Sequence, residues 1–279
     1  MRPAILFSAR VVLFAAAIGL SRSTPARAQE LEVRFLDVGQ GDATLIRTDG
    51  CAALVDAGGN EAAARRLAEL GVGKLDYLIA SHNHRDHIGG VGEVTRVAQV
   101  GLYIHNGRPE RSQTQRFTWA MLARQSTAHR EASLDTLPCG KGRLIVGASP
   151  LAGRTNDQND QSVIVRLEYG EFSALFTGDS GNEQINAMIE AGWARPVTVL
   201  KAAHHGARDG VTPLWLTRVH PDVVVISVGA GNRYGHPDLS ALRFYLAGGR
   251  EVYRTDRDGE VVVVALEDGQ FGVGTEIMP

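Results

Sequence analysis

Three histidines and an aspartate lie within six consecutive positions of this chain: His82, His84, Asp86 and His87. Protonated imidazoles would repel one another at this density, whereas neutral imidazole nitrogens and a carboxylate are suitable ligands for zinc, manganese or iron. The spacing suggests two ions, because His82 and His84 can turn to one side while Asp86 and His87 turn to another. The alternative is a polar loop without a metal, but the density of ligand types favours a metal site.

Four more candidate residues lie just past strand-like segments or in the loops beyond them. They are Asp179, the adjacent pair His204 and His205, and His236. Folds that combine sheets and helices tend to gather functional groups in such loops. The other three histidines are isolated in the sequence and are expected to have surface or packing roles: His105, His129 and His220.

The elements that must position these residues follow from hydrophobic periodicity and from turn and capping residues. Strands are predicted over 31–37, 43–48, 51–56, 75–80, 100–104, 143–146, 162–169, 171–176, 197–202, 223–227, 251–254 and 260–266. Helices are predicted over 60–70, 90–97, 180–191, 212–219 and 239–246. Strand 75–80 would deliver the histidine cluster, and a less regular, arginine-rich insert occupies 105–136. This order fits an α+β fold in which two sheets pack face to face with helices outside.

The first 28 residues have the features of an export signal. Arg2 and Arg10 precede an apolar run over 11–20, and a small-x-small pattern ends at Ala28, where cleavage is expected. The run is too short to span a bilayer comfortably, and an uncleaved anchor is the alternative. The expected organisation is a signal peptide, 1–28, and one mature domain, 29–279, that is periplasmic or secreted and has no stable membrane association.

The charge of the mature chain restricts its partners. Removing 1–28 takes four arginines and no acidic residue from totals of 29 basic and 31 acidic residues, which leaves a formal charge of −6. That negative charge argues against binding to nucleic acid through the overall electrostatic field of the protein. Binding through a locally basic cleft is the alternative.

The chain has two cysteines, Cys51 and Cys139, and neither lies in a metal-like cluster. An exported chain meets an oxidising compartment, which allows one disulfide. Two separate thiols are the alternative, because the sequence does not place the two Cα atoms close together.

Several motifs together resemble a known family. The histidine cluster, preceded by Leu-Val-Asp-Ala-Gly at 54–58 and followed by Thr-Gly-Asp at 177–179, resembles the metallo-β-lactamase superfamily. Further motifs resemble the ComEC-type hydrolase domain of competence proteins and its exported stand-alone relatives: 35–43, 159–162, 200–206, 234–237 and 253–256. The resemblance extends from about Leu31 to about Val264, which is nearly the whole mature chain.

The resemblance implies a four-layer αββα metallo-β-lactamase sandwich with a site for two divalent metal ions, zinc or manganese, at one edge. It also implies that Asp56 orients a ligand imidazole, for which a plain turn residue is the alternative. The implied ligands are His82 and His84 for the first ion, Asp86, His87 and His204 for the second, and Asp179 as a bridge between them.

Three positions depart from the family pattern. ComEC-type domains often have an aspartate where His84 stands and commonly a serine where Ala207 stands. The superfamily also usually places a ligand histidine in the stretch that corresponds to residues 156–162, which contain none. The first ion is therefore expected to be weakly held, or to be completed by Asp160 or His236.

The implied activity is metal-assisted hydrolysis of a phosphodiester, such as DNA or a smaller diester, by a hydroxide that bridges two ions. His205, His236 and Lys201 are the expected catalytic residues, with Tyr234 as a further candidate, and would hold the phosphoryl group or protonate the leaving oxygen. Structural roles are the alternative for these residues. The insert 105–136 would either contact a polyanion or form solvated surface. A lactamase or lactonase of the same fold, and a non-catalytic binding module, remain open as alternatives.

Overall fold

The computed structural model describes residues 30–109 and 112–277. The expected export signal lies outside the described residues, so its cleavage stays a prediction. Within the described ranges, the longest helix has 12 residues, and no helix combines the length and apolar content needed to cross a membrane.

Eight strands form the first sheet: β1 (Leu31–Phe35), β2 (Thr44–Thr48), β3 (Cys51–Val55), β4 (Lys74–Ile79), β5 (Gln99–His105), β6 (Ala128–Glu131), β14 (Val261–Ala265) and β15 (Phe271–Thr275). They lie in the order β15-β14-β1-β2-β3-β4-β5-β6. The pairs from β15 to β3 are antiparallel and those from β3 to β6 are parallel. The mixed directions bring the carboxyl ends of β3, β4 and β5 to one edge.

Seven strands form the second sheet: β7 (Asp135–Cys139), β8 (Gly142–Gly147), β9 (Ile164–Tyr169), β10 (Phe172–Phe176), β11 (Val199–Lys201), β12 (Val223–Ile226) and β13 (Glu251–Arg254). They lie in the order β13-β12-β11-β10-β9-β8-β7. Strands β10 to β13 pair in parallel, whereas β7 to β10 pair antiparallel.

Helices cover the outer faces of both sheets. The helices on the first sheet are α1 (Ala62–Glu69), α2 (Arg85–Ile88), α3 (Val91–Val97) and α4 (Gln113–Arg124). Those on the second sheet are α5 (Asn182–Glu190), α6 (Pro213–Val219) and α7 (Leu239–Leu246), and a single turn, α8 (Thr255–Asp258), follows β13.

Three hydrophobic clusters separate the four layers. The central cluster joins the inner faces of the sheets and includes Val33, Ile46, Val165 and Val225. The other two lie under the helices, one around α1, α3 and α4 and one around α5, α6 and α7. Burial on both faces removes apolar side chains of each sheet from water, which stabilises the sandwich. The expected αββα fold class is confirmed.

The disulfide question has a clear answer. Cys51 in β3 and Cys139 in β7 are joined by a disulfide bond. Because these strands belong to different sheets, the bond links the two halves of the sandwich covalently. The structure therefore selects the paired alternative over two separate thiols.

The arginine-rich insert is more regular than the sequence indicated. It contains α4, whose first turn is capped by Ser112, and the edge strand β6. The buried face of α4 includes the polar residues Gln115 and Thr118, which hid the helical period of its apolar residues. His105 and His129 both contact the ring of Trp119, which is the packing role that was expected as one alternative for them.

Candidate metal centre

The candidate ligands lie at the edge where parallel strands of both sheets end. Asp56 follows β3, the cluster 82–87 follows β4, Asp179 follows β10, and the pair His204 and His205 follows β11. Carboxyl ends of parallel strands meet at one edge of a sheet. Residues that are distant in the sequence are therefore neighbours in the fold.

Four side chains form the tightest group of candidate ligands: Asp86, His87, Asp179 and His205, with ligand atoms that all lie within 4.8 Å of one another. Oδ2 of Asp179 lies 3.2 Å from Nε2 of His87 and 3.5 Å from Nε2 of His205. Oδ2 of Asp86 lies 3.4 Å from Nε2 of His205. Asp86 is half-buried and the other three are buried. Two imidazoles and two carboxylates suit a divalent transition-metal ion.

Asp56 fixes the orientation of His87. Its Oδ2 lies 2.9 Å from Nδ1 of His87, and the backbone N–H and hydroxyl of Ser81 donate to its two oxygens at 2.7 and 2.8 Å. In the neutral imidazole, Nδ1 therefore carries the proton and donates a hydrogen bond to Asp56. The lone pair of Nε2 then faces Asp179, which is the arrangement that a metal-binding histidine needs.

His205 is oriented in the same way. Its Nδ1 donates to the carbonyl oxygen of Ser227 at 2.9 Å and lies 3.2 Å from Oδ1 of Asp42. The loop that carries Asp42 packs tightly against the 82–87 cluster, since a Cβ at Gly41 would lie 2.3 Å from the carbonyl oxygen of Asp86. Glycine is needed at this approach, and it also has a φ of 143°.

Lys201 is buried behind the site. It is 2% exposed, and its ammonium group pairs with Oδ2 of Asp42 and lies 3.4 Å from the carbonyl oxygen of Gly178. Asp42, Asp56 and His87 also lie within reach of one another, but the two carboxylates are occupied by Lys201 and Ser81. We therefore interpret them as support for the imidazoles. Lys201, expected to hold the phosphoryl group, instead has its charge satisfied inside the protein.

Several buried atoms of the ligand group lack a hydrogen-bond partner among the described residues: Nε2 of His87, Nε2 of His205 and Oδ1 of Asp179. The short contacts of the two imidazoles with Asp179 are not aligned as hydrogen bonds. An unpaired buried polar group costs about 1–3 kcal/mol, so their convergence needs a compensating partner. A divalent cation fits the donor set, the burial and the orientation of these residues.

The electrostatics of the group also favour a cation. Burial opposes ionisation, but the charges of His205 and His87 hold the pKa of Asp179 well below its usual range. Burial likewise opposes charge on His87 and His205, but Asp179, together with Asp56 or Asp42, raises both imidazole pKa values well above normal. For Asp86, burial favours the neutral acid, but the imidazole of His205, 3.4 Å away, and the charge of His87 lower its pKa to about 2. The carboxylates thus draw positive charge into the centre.

His82 and His84 form a pair beside this group. Nε2 of His82 lies 2.9 Å from Nδ1 of His84 and 3.9 Å from Oδ2 of Asp179. His82 is fully buried, and burial together with the charge of His87 lowers its pKa well below the usual value. A neutral, buried imidazole is competent to bind a metal ion.

His204 lies on the solvent side of the centre. Its Nε2 is 3.9 Å from Oδ2 of Asp179, and its Nδ1 is 3.3 Å from Oδ1 of Asp209. His204 is outside the tightest group, in which His205 takes the place expected for His204.

Asp160, an expected candidate for the first ion, accepts a hydrogen bond at 2.8 Å from the backbone N–H of Gly181 at the start of α5.

An open cleft of about 470 Å³ adjoins His204. Tyr234 and His236 line it with stacked rings, whose centroids are 5.9 Å apart, and the ring of His236 lies 5.5 Å from that of His204. Arg208 also lines the cleft and is exposed. His236, an expected catalytic residue, and Tyr234, the further candidate, therefore lie together beside the candidate ligands.

Three residues near the ligands were not singled out from the sequence for any role: Asp42, Asn159 and Asp209. Asp42 and Asn159 occur in motifs that carry the family resemblance, but their types alone did not indicate a contact with a ligand. Asp209 follows the pair His204 and His205 in the chain, and this spacing is the one signal that could have indicated it.

A family model for the metallo-beta-lactamase superfamily matches residues 36–230. The chain belongs to this superfamily. The match includes the 82–87 cluster, Asp179 and the pair His204 and His205, so this metallo-beta-lactamase domain has its candidate metal centre inside the family region.

Competence proteins are among the relatives of this metallo-beta-lactamase domain. It is 29% identical over 250 residues to competence protein ComA of Neisseria gonorrhoeae, which covers 88% of this chain and 33% of that protein. It is 25% identical over 259 residues to ComE operon protein 3 of Bacillus subtilis, with 85% and 33% covered. It thus spans about a third of the length of these relatives, and the expected similarity to competence proteins is confirmed.

Solved structures support the fold. The metallo-beta-lactamase fold protein YhfI of Bacillus subtilis superposes with a TM-score of 0.57 at 14% identity, covering 88% of this chain and all of YhfI. The metal-dependent hydrolase Tm1679 superposes with a TM-score of 0.53 at 12% identity, with 88% and 100% covered. At these identities the likeness concerns the fold alone.

Proposed function

We propose that this metal-dependent hydrolase is a phosphodiesterase that acts outside the cytoplasm, with two divalent ions as cofactors. The observation that carries the proposal is the group formed by Asp86, His87, Asp179 and His205, in which buried Nε2 atoms face a carboxylate without a hydrogen bond. Two bound ions would act as Lewis acids on a phosphoryl group and lower the pKa of water.

The protein's own residues fix the orientation of the candidate ligand imidazoles. Asp56 accepts from Nδ1 of His87, and the carbonyl oxygen of Ser227 accepts from Nδ1 of His205 with Asp42 3.2 Å away, so that each Nε2 stays directed at the centre. Lys201 neutralises Asp42 from inside the fold. We assign Lys201 a positioning role and assign His205 to the metal centre.

Substrate binding is proposed in the cleft beside His204. Arg208 offers an exposed guanidinium for a phosphate oxygen, which it can bind with two N–H groups. His236 and Tyr234 lie further along the wall, where each could donate a proton to the leaving oxygen. A phosphodiester has both a charged phosphoryl group and a leaving oxygen, so it uses the metal centre and the cleft together.

DNA is the proposed physiological diester. The similarity to proteins named for competence supports it, although the chain spans about a third of those relatives. Action in the periplasm or outside the cell is supported by the disulfide between Cys51 and Cys139, because disulfides persist in oxidising compartments. The proposal includes no stable association of the mature chain with a membrane.

A substrate panel tests this function. Metal-free protein would be resupplied with zinc or manganese and assayed against bis(p-nitrophenyl) phosphate, single-stranded DNA and a chromogenic lactam. We expect hydrolysis of the phosphodiester reporter and of DNA, and a loss of at least 100-fold in Asp179→Asn, because Oδ2 of Asp179 lies within 3.9 Å of four candidate imidazoles.

The matched control is Asp268→Asn, since Asp268 lies in the β14–β15 turn far from the centre. Turnover of the lactam alone would replace the phosphodiesterase proposal with a lactamase. Bound metal without turnover of any substrate would favour a non-catalytic binding module.

A further inference from the structure

His204 and His205 share an unusual backbone conformation. Both lie in the left-handed region, with φ, ψ of 50°, 46° and 53°, 26°. Such conformations are unfavourable for residues with a Cβ and persist where the surrounding structure holds them. The backbone N–H of His204 donates to the carbonyl oxygen of Gly178 at 3.1 Å, which ties this strained turn to the Asp179 loop.

The strained turn directs two adjacent imidazoles at one carboxylate. The ring centroids of His204 and His205 are 6.4 Å apart, yet their Nε2 atoms lie 3.9 and 3.5 Å from the same oxygen, Oδ2 of Asp179. In an extended strand, neighbouring side chains would point to opposite faces. The conformation thus brings both rings to the metal centre.

We propose that His204 is the protein ligand that completes the first metal site, with His82, His84 and Asp179. The proposal rests on the metal dependence proposed above. It divides the adjacent histidines between the ions, His205 to the second and His204 to the first. It also supplies the donor that residues 156–162 lack.

A carboxylate lies behind His204, as it does behind His87 and His205, although only the contact of Asp56 with His87 is a hydrogen bond. A carboxylate oxygen of Asp209 lies 3.3 Å from Nδ1 of His204. The corresponding distances are 2.9 Å between Asp56 and Nδ1 of His87, and 3.2 Å between Asp42 and Nδ1 of His205. In each case Nε2 is the atom nearer to Asp179. A carboxylate behind a ligand imidazole fixes the ring and raises its basicity.

Asn159 lies beside His204, in the stretch where the superfamily usually has a ligand histidine. Its Nδ2 lies 3.4 Å from Nε2 of His204, and its buried Oδ1 has no hydrogen-bond partner among the described residues. Its turn is fixed to the centre, because the backbone N–H of Asp179 donates to Oγ of Ser162 at 3.1 Å. The amide therefore lies beside the imidazole, at the mouth of the first site.

The other candidates for this ligand position are less suitable. Asp160 is engaged with the start of α5. The ring of His236 lies beyond that of His204 on the cleft side, with centroids 5.5 Å apart. Because His82 and His204 are each 3.9 Å from Asp179, and the closest ligand contact of the second group is 3.2 Å, the first site is the wider one and is expected to bind metal more weakly.

Metal stoichiometry tests the assignment without any substrate. Metal-free full chain would be titrated with Mn²⁺ by calorimetry and with Co²⁺ by visible absorbance. We expect about two equivalents for the wild type, one bound more weakly, and about one for His204→Gly. Glycine removes the imidazole but accepts the left-handed backbone, so folding is preserved. Asp209→Asn should weaken the weaker site about 10–100-fold.

Two controls sharpen the result. His129→Ala removes a histidine on β6, remote from the centre, and should keep both equivalents. Asn159→His, added to His204→Gly, should restore the second equivalent, since residue 159 faces the same space. Two equivalents in His204→Gly, or loss of one in His236→Ala instead, would overturn the assignment, as would a single equivalent in the wild type. Failure to cleave phosphodiesters while both ions bind would sink the proposed function and leave this assignment standing.

Discussion

Asp42 touches His205 with one carboxylate oxygen and Lys201 with the other. Oδ1 lies 3.2 Å from Nδ1 of His205, and Oδ2 pairs with the Lys201 ammonium. All three residues are at most 4% exposed. A buried lysine thus compensates the charge of the residue that orients a candidate ligand, which couples the stability of the fold to the geometry of the centre.

This arrangement predicts a large loss of stability in Lys201→Met. Removing one partner of a buried ion pair typically costs about 3–5 kcal/mol, because the other charge remains buried. Asp42→Asn in the same chain should recover most of that loss, since no uncompensated charge is left. Urea unfolding of the two single variants and the double variant measures the coupling. Additive losses would show that the two side chains do not compensate each other.

Asp56→Asn should weaken metal binding while leaving the fold intact. The asparagine keeps one acceptor oxygen for the two hydrogen bonds from Ser81 and loses the charge beside Nδ1 of His87, so we expect the affinity of the tighter site to fall about 10–100-fold. Asp76→Asn is the matched control, because Asp76 caps the backbone N–H of Ala52 away from the centre. Competition with a metal-binding dye gives both affinities. Equal affinities in the two variants would mean that Asp56 only closes its turn.

Local signals predicted much of the fold and the ligand cluster. Strand β4, predicted over 75–80, lies at Lys74–Ile79, because alternation is read within a short window. The helix capped by Thr212, with Pro213 in its first turn, was confirmed for the same reason. The segment 82–87 follows β4 and supplies Asp86 and His87 to the tightest group of candidate ligands, but its helical turn α2 was not predicted. The αββα sandwich followed from the family resemblance.

Contacts between distant segments could not be predicted in the same way. The proposed assignment of His204 and His205 to different metal ions depends on the left-handed backbone conformation of both residues. Histidine as a residue type does not indicate that conformation. The pairing of Asp42 with His205 depends on the packing of a loop after β1 against a loop after β11. Helix α4 was missed because Gln115 and Thr118 lie on its buried face and interrupt the apolar period.

The disulfide is predicted to support stability and not the metal centre. Cys51 and Cys139 are 88 residues apart in the chain, so their bond restricts the unfolded state strongly. We expect the double substitution to alanine to lower the free energy of unfolding by about 2–5 kcal/mol. Metal stoichiometry should not change, because neither cysteine lies near a candidate ligand. Guanidinium unfolding with and without reductant measures the effect, and a wild-type protein insensitive to reductant would contradict it.

Arg208→Ala should impair substrate binding more than the chemical step. Arg208 is exposed in the cleft wall and makes no hydrogen bond or ion pair with any residue in the described ranges, so its guanidinium is available for a phosphate. Hydrogen bonds to charged groups contribute about 1.5–3 kcal/mol, which corresponds to a rise in KM for DNA of roughly 10-fold or more, with kcat nearly unchanged.

Arg218→Ala is the control for a change of net charge. Arg218 is an exposed residue in the last turn of α6 and does not line the cleft. Steady-state kinetics at low and high salt separate a direct contact from a general field, because salt screens exposed charges over about 10 Å at 0.1 M. A direct contact requires that only Arg208→Ala raises KM at both salt concentrations. If the two variants shift KM equally and the shift vanishes in high salt, the substrate senses the net charge of the surface, and the cleft beside His204 loses its role.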